Sequence, residues 1–208
     1  YRRQRQMCIR DRTEIEQNRY KVSSVKLSKT VMNKLRKNSK KKSSYASNKI
    51  EGNPLSEKQV DEVIESDGRK HYLKPEQEVR NYFLALNYLE EKVSKKEKLS
   101  MKLILDVQKL VEKGASKEKI GLRGPMPPGV LFAVNDSKTG NPDYIPPEYC
   151  DIPGLLNELV EYVNTTDDHP LIVAAVVHYQ LVTIHPFEDG NGRTARPVSY
   201  THLRAHET

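Results

Sequence analysis

A mainly α-helical bundle carrying one β-hairpin is the fold class that this 208-residue sequence predicts. Three observations carry that prediction. Apolar residues recur at spacings of three and four through several separate segments, the period of one helix face. One further segment is apolar almost all the way round, as a helix enclosed by others must be. Only one short stretch has the composition of a strand, and it runs into a region dense in turn-forming residues.

Taken in chain order, residues 13–42 form a basic N-terminal region of helical or linker character. Six of the nine residues from Lys34 to Lys42 are Lys or Arg with no acid among them. A solvated helix end or linker is the first reading of that run, and a phosphate-binding arm is the alternative. Ser56 and Gln59 have the spacing of a capping box, which predicts a short helix to about Glu65, and Pro54 helps end whatever precedes it. Val79, Tyr82, Phe83, Leu86, Leu89 and Val93 predict an amphipathic helix over 75–93. Leu103, Ile104, Val107, Leu110 and Val111 repeat the pattern after Ser100. Leu155, Leu156, Leu159, Val160 and Val163 repeat it again after Asp151 and Pro153. Val130 to Val134 is strand-like, and the NDSKTGNPDYIPP that follows predicts a hairpin. From Pro170 to Ile184 almost no polar side remains, which predicts a helix at the centre of the bundle. A last helix should begin near Asn191, and Pro197 should stop or kink it within its second turn.

Length, charge and cysteine content narrow the function classes. The length suits one compact domain. The longest uninterrupted apolar run, Leu171 to Val177, falls far short of the ~20 residues of a membrane-crossing helix. Two cysteines, Cys8 and Cys150, make no disulfide scaffold, and the Lys- and Glu-rich composition fits a reducing, cytoplasmic compartment. The formal charge of +7 raises the question of nucleic acid. However, RRQRQMCIRDR at the start and VSYTHLRAHET at the end resemble translated sequencing adapters. Residues 1–12 and 197–208 are therefore expected to be non-native and are set aside from the domain at 43–196. Residues 1–12 hold five Arg and one Asp, so most of the basic excess leaves with them, and nucleic-acid binding by this domain loses its support.

The chemistry is concentrated in HPFEDGNGRTAR, His185 to Arg196, where an apolar helix hands over to a Gly-rich turn and a new helix. Gly190 and Gly192 free the backbone to turn N–H groups toward a ligand, and the new helix would point its positive end at an anion. Arg193 and Arg196, three apart, share a helix face and could clamp separate phosphates. Asp189 offers a carboxylate suited to Mg²⁺ among phosphate oxygens. His185 supplies a base that is largely neutral at physiological pH.

On these residues the sequence resembles the Fic family, whose signature H-x-F-x-[DE]-G-N-G-R-x-x-R is matched at every fixed position. The similarity extends through most of 43–196: PLIVAAVVHYQLVTIHPF resembles the helix leading into the family motif, and VLFAV resembles its target-positioning flap. The resemblance implies a Fic-type helical bundle and transfer of AMP from ATP to a hydroxyl side chain of a target protein. It implies that His185 deprotonates the hydroxyl and that Asp189 holds Mg²⁺. It further implies that Gly190, Asn191, Gly192, Arg193 and Thr194 cradle the phosphates while Arg196 reaches the γ-phosphate. Phe187 would anchor the loop in the core. Val130, Leu131, Phe132, Ala133 and Val134 would be the flap. Doc-like kinases of a related branch carry Lys where this chain has Gly192, so Gly192 favours AMP transfer. Upstream, Ser47, Glu51 and Gly52 fit [ST]-x-x-x-E-[GN], which resembles the inhibitory helix (43–53) of self-silencing members and implies that Glu51 pairs with Arg196. Family members continue beyond the second arginine into further helices, so a C-terminally truncated domain is expected. Two alternatives stay open, a hydrolase that removes AMP and a non-catalytic nucleotide-binding module. Self-modification and a homo-oligomer also stay open; a membrane partner is not expected.

Overall fold

The computed structural model describes residues 10–11, 13–18, 20–21, 24–66, 69, 71–115, 120–135 and 139–205. Most of the adapter-like start, with Cys8, and the last three residues of the adapter-like tail lie outside that set. The chain divides into two compact units, residues 1–39 and 40–208. In the first, residues 13–18 are helical and Lys29 opens a long helix, α1 (Lys29–Ile50). The basic run Lys34 to Lys42 is therefore part of a helix, and the boundary expected between residues 42 and 43 falls inside it.

In the second unit, α1 presents Lys41, Ser44, Ser47 and Asn48 as a buried polar stripe at helical spacing. Lys41 reaches Glu65 at 2.7 Å and Asp61 at 3.4 Å, both on α2 (Glu57–Glu65), and this pairing raises its pKa. Helix α2 begins with the expected capping box, Ser56 and Gln59 each satisfying the other's backbone N–H. Val60 and Val63 of α2 pack on Val79 of α3 (Lys74–Ser94), with Tyr45 and Leu55 closing a small side core.

The main core is built by the rest of α3 with α4 (Met101–Glu112), α5 (Ile152–Thr165), α6 (Pro170–Ile184) and α7 (Asn191–Ala205). Each amphipathic helix buries the face its periodicity marks, for example Ile104, Val107 and Val111 on α4 and Ile152, Leu156 and Leu159 on α5. Ser100 caps α4 through its hydroxyl to the Leu103 N–H. Among the described residues no helix is long and apolar enough to cross a membrane.

Three expectations are corrected. First, α6 is not enclosed on all sides. Val173, Ala174, Val177, Leu181 and Ile184 are buried, whereas Ile172, Ala175, Tyr179 and Val182 form an exposed stripe. Second, the hairpin is shorter than Val130 to Val134 suggests. Among the described residues only β1 (Val134–Asn135) pairs, antiparallel, with β2 (Pro142–Tyr144). Continuing the register from Val134 opposite Tyr144 would set Phe132 against Pro146 and Leu131 against Pro147, neither of which can donate a ladder hydrogen bond. Third, α7 does not stop at Pro197 but continues to Ala205. The proline forfeits the bond to the Arg193 carbonyl, a cost of about 3 kcal/mol. Ala195 and Val198 on either side are fully buried in the main core, and burial of this kind is worth a comparable amount.

Candidate functional site

His185 ends α6 in the left-handed conformation (φ 48°, ψ 59°), with its N–H on the Leu181 carbonyl at 3.1 Å. A non-glycine residue held there costs about 1–2 kcal/mol, so the surroundings must impose it. They do so on both sides. The Nε of Arg123 donates to the His185 carbonyl at 2.9 Å, and the Arg123 N–H donates to the Pro186 carbonyl at 2.9 Å. Phe187, 1% exposed, is an anchor in the main core and bridges to Leu122. The imidazole is partly buried, and this desolvation is the chief reason its pKa is lowered; the nearby Arg123 cation adds to the lowering. Its Nδ1 lies 3.4 Å from the Val182 carbonyl. The lowering favours the neutral form of the imidazole.

The loop from His185 to α7 is closed by its own side chains. Asn191, buried, accepts from the Phe187 N–H at 3.0 Å and donates to the Phe187 carbonyl at 2.8 Å, a two-point clasp across the turn. Asp189 Oδ1 accepts from the Gly190 N–H at 2.7 Å and from Arg193 Nη2 at 3.2 Å, while the carboxylate remains 40% exposed. Gly190 has φ 77°, and a Cβ there would meet a Glu112 carboxylate oxygen at 2.4 Å, so glycine is required twice over.

The two arginines part company. Arg193 turns inward, 6% exposed, between Glu112 at 3.1 Å, Asp189 at 3.2 Å and Glu78 at 3.4 Å. Arg196 stays at the mouth of the site. Its Nε donates to the Ser47 hydroxyl at 2.7 Å, and its Nη2 donates to the Ser47 carbonyl at 3.3 Å and to Glu51 Oε1 at 2.5 Å. Glu51 holds this place because α1 ends in a Schellman turn. The Gly52 N–H bonds the Lys49 carbonyl, the Asn53 N–H bonds the Asn48 carbonyl, and Gly52 supplies the positive φ of 83°. The Glu51 carboxylate stands directly over Gly192, since a Cβ added there would come 2.3 Å from its Oε1. An anion approaching the first turn of α7 would meet that carboxylate.

The structure therefore brings Ser47, Glu51, Gly192 and Arg196 together, and sets Phe132 5.9 Å from the His185 ring. The side chains of Asn191, Arg193 and Thr194 are buried, and the Thr194 N–H is bonded to the Gly190 carbonyl at 2.8 Å, so Asn191 and Arg193 face the helix start with their backbone N–H groups. In the flap, Val130 and Leu131 are exposed, while Phe132 and Ala133 are partly covered.

Sequence reasoning missed the residues behind the loop. Gln108 reaches the Asp189 carbonyl at 3.5 Å and accepts from the Gly121 N–H, and Glu112, one turn on, meets Arg193. Their signal was available, because two polar residues four apart interrupt the otherwise apolar face of α4. Arg123 and Glu78 carried no such signal.

For Mg²⁺, the donor set is one partly exposed carboxylate at the start of an anion-directed helix. This suits an ion that takes most of its ligands from phosphate oxygens and water. Among the described residues there is no cluster of three or more metal-ligating side chains.

Comparison with known proteins places this geometry in context. A family model described as Fic/DOC family matches residues 98–203. The chain is 31% identical over 166 residues to a protein adenylyltransferase Fic of Drosophila willistoni, covering 76% of this chain and 31% of the relative. It is 28% identical over 196 residues to the protein of that name from Drosophila virilis, covering 91% of this chain and 38% of the relative. The chain thus spans less than two fifths of the length of the curated relatives it matches. A crystal structure of a Fic family protein from Desulfovibrio desulfuricans superposes with a TM-score of 0.66 at 29% identity, covering 81% of this chain and 48% of that one.

Proposed function

Starting from the fact that this chain belongs to the Fic/DOC family, we propose that it is a protein adenylyltransferase, moving AMP from ATP to a hydroxyl side chain of a target protein and silenced in cis by Glu51. The observation that carries the reading is the Glu51–Arg196 pair standing over Gly192, within one turn of a loop that begins with a neutral histidine. The names of the Drosophila relatives support AMP as the group transferred.

In the reaction, His185 accepts the proton of the target hydroxyl as its oxygen forms a bond to the α-phosphorus. The bond from that phosphorus to the bridging oxygen breaks, and pyrophosphate leaves. The N–H groups opening α7 and the positive end of that helix receive phosphate oxygens. Arg196, once released from Glu51, offers its guanidinium to the terminal phosphate. Asp189 would hold Mg²⁺, which when bound neutralises phosphate charge. Residues Val130 to Val134 lie at the edge of the site and present the target backbone beside the base. Cytoplasmic residence and ATP as the donor belong to the same proposal.

Labelled ATP tests the reading. Label in the α-phosphate should pass to protein and label in the γ-phosphate should not. Transfer of γ-label would instead make the chain a kinase of the Doc-like kind, and removal of AMP from a pre-modified protein would favour the hydrolase. The pH dependence follows from the lowered pKa of His185, whose base form predominates at pH 7. The transfer rate should stay level above pH 7 and fall only as the pH drops through a value below the ordinary 6.5. A midpoint above 6.5 in the pH–rate profile would remove His185 from the role of base.

A further inference from the structure

One buried charge beside the base has no part in the scheme above. Arg123 is 5% exposed, and among the described residues it makes no ion pair; Glu148 and Tyr144 act on it only at longer range. Burying a guanidinium without a carboxylate on it is costly, and desolvation is the main cause of its lowered pKa. Something must hold it there. Its polar edge is spent on backbone carbonyls, Nε on His185 at 2.9 Å and Nη2 on Pro147. Its flat face lies on the Phe132 ring, 4.7 Å from the centroid, and that ring stands 5.9 Å from the imidazole of His185. One planar side chain therefore grips the residue that carries the base and the aromatic at the middle of the flap. A lysine could supply the charge but neither the fork nor the stacking face.

Resting on the transferase reading, we propose that Arg123 is the positioning residue that sets the flap against the base, so that the backbone presenting the target hydroxyl and the imidazole receiving its proton are located by the same group. Arg123 touches no reacting atom. Its action is to keep His185 in the left-handed conformation and Phe132 over it. Displacements of about 1 Å between reacting groups can cost roughly a hundredfold in rate. The charges that face His185 are Arg123, which opposes its protonation, and Glu51 and Asp189, which favour it.

The test uses the full chain with Glu51→Gly, α-labelled ATP and self-modification as the readout, with ATP affinity measured by calorimetry and His185 followed by NMR. Arg123→Gln should lower transfer by about tenfold to a hundredfold, leave ATP affinity within about twofold, and abolish the nuclear Overhauser contact between the Phe132 and His185 rings. It should also raise the titration midpoint of His185. Arg123→Lys should restore that midpoint but not the transfer or the ring contact. Phe132→Leu, which leaves the buried guanidinium in place, should lower transfer in the same way and decides the matter if Arg123→Gln fails to fold. The proposal is overturned if the folded variants transfer at the parental rate, if Arg123→Lys restores transfer fully, or if ATP affinity falls in parallel with transfer. Should Glu51→Gly itself transfer no label, the transferase reading fails, while the ring contact and the His185 midpoint still decide whether Arg123 positions the base.

Discussion

Glu51→Gly is expected to raise AMP transfer by about tenfold to a hundredfold, measured as α-label incorporated into protein per minute. The range follows from how exposed the pair is. Glu51 is 40% exposed and Arg196 23%, so the pair lies between a surface ion pair, worth at most about 1 kcal/mol, and a buried one, whose rupture costs about 3–5. A middle value of about 1.4–2.8 kcal/mol corresponds to that range in the population of the open state. A steric part adds to the electrostatic one, because the carboxylate fills the space over Gly192. Glu57→Gly, in the first turn of α2, removes an acid of the same kind away from the site and should leave transfer unchanged. Arg196→Ala breaks the same pair but also removes the cation proposed to receive phosphate, so it should activate far less than Glu51→Gly. Equal rates for Glu51→Gly and the parent chain would show that the pair has no inhibitory role.

In the Glu51→Gly background, His185→Ala should abolish transfer, lowering it by about 10²–10⁴-fold, the usual contribution of a general base. ATP binding should change little, since the residues opening α7 are held by the Asn191 clasp and not by the imidazole. The left-handed backbone at residue 185 complicates the choice of variant. Alanine is strained there, whereas asparagine tolerates the conformation, so His185→Asn removes the base with less disturbance of the loop. Both variants should lose activity alike. If His185→Asn retains more than a tenth of the rate, proton abstraction belongs to another group.

The helices were legible because their information is local. The capping box at Ser56, the Ser100 cap and the 3–4 periodicity on α3, α4 and α5 need no tertiary context to be read. The motif loop was legible for a different reason. A neutral base, two glycines and two arginines within twelve residues are a concentrated chemical pattern, whereas the Glu51–Arg196 contact was implied by the resemblance of Ser47, Glu51 and Gly52 to the family's inhibitory helix. What was not legible depends on distant chain segments. The exposed stripe on α6 depends on how many neighbours the helix has, which hydrophobicity alone does not report. The shortened hairpin depends on which residues stand opposite Leu131 and Phe132, and the passage of α7 through Pro197 depends on what Ala195 and Val198 bury against. Helix spacing put Arg193 and Arg196 on one face. It could not show that Glu78 and Glu112, from two other helices, draw one of them inside.

The partial exposure of the Glu51–Arg196 pair has a consequence at the level of the cell. On the proposed reading, a lock worth about 1.4–2.8 kcal/mol leaves a standing minority of open molecules, between about one in ten and one in a hundred. Background modification then scales with the number of copies present, and overproduction by one to two orders of magnitude would yield as much modified target as full release at ordinary abundance. Under the proposed lock, abundance and unlocking are interchangeable ways of raising the signal, and the level of expression sets the background as directly as the carboxylate does.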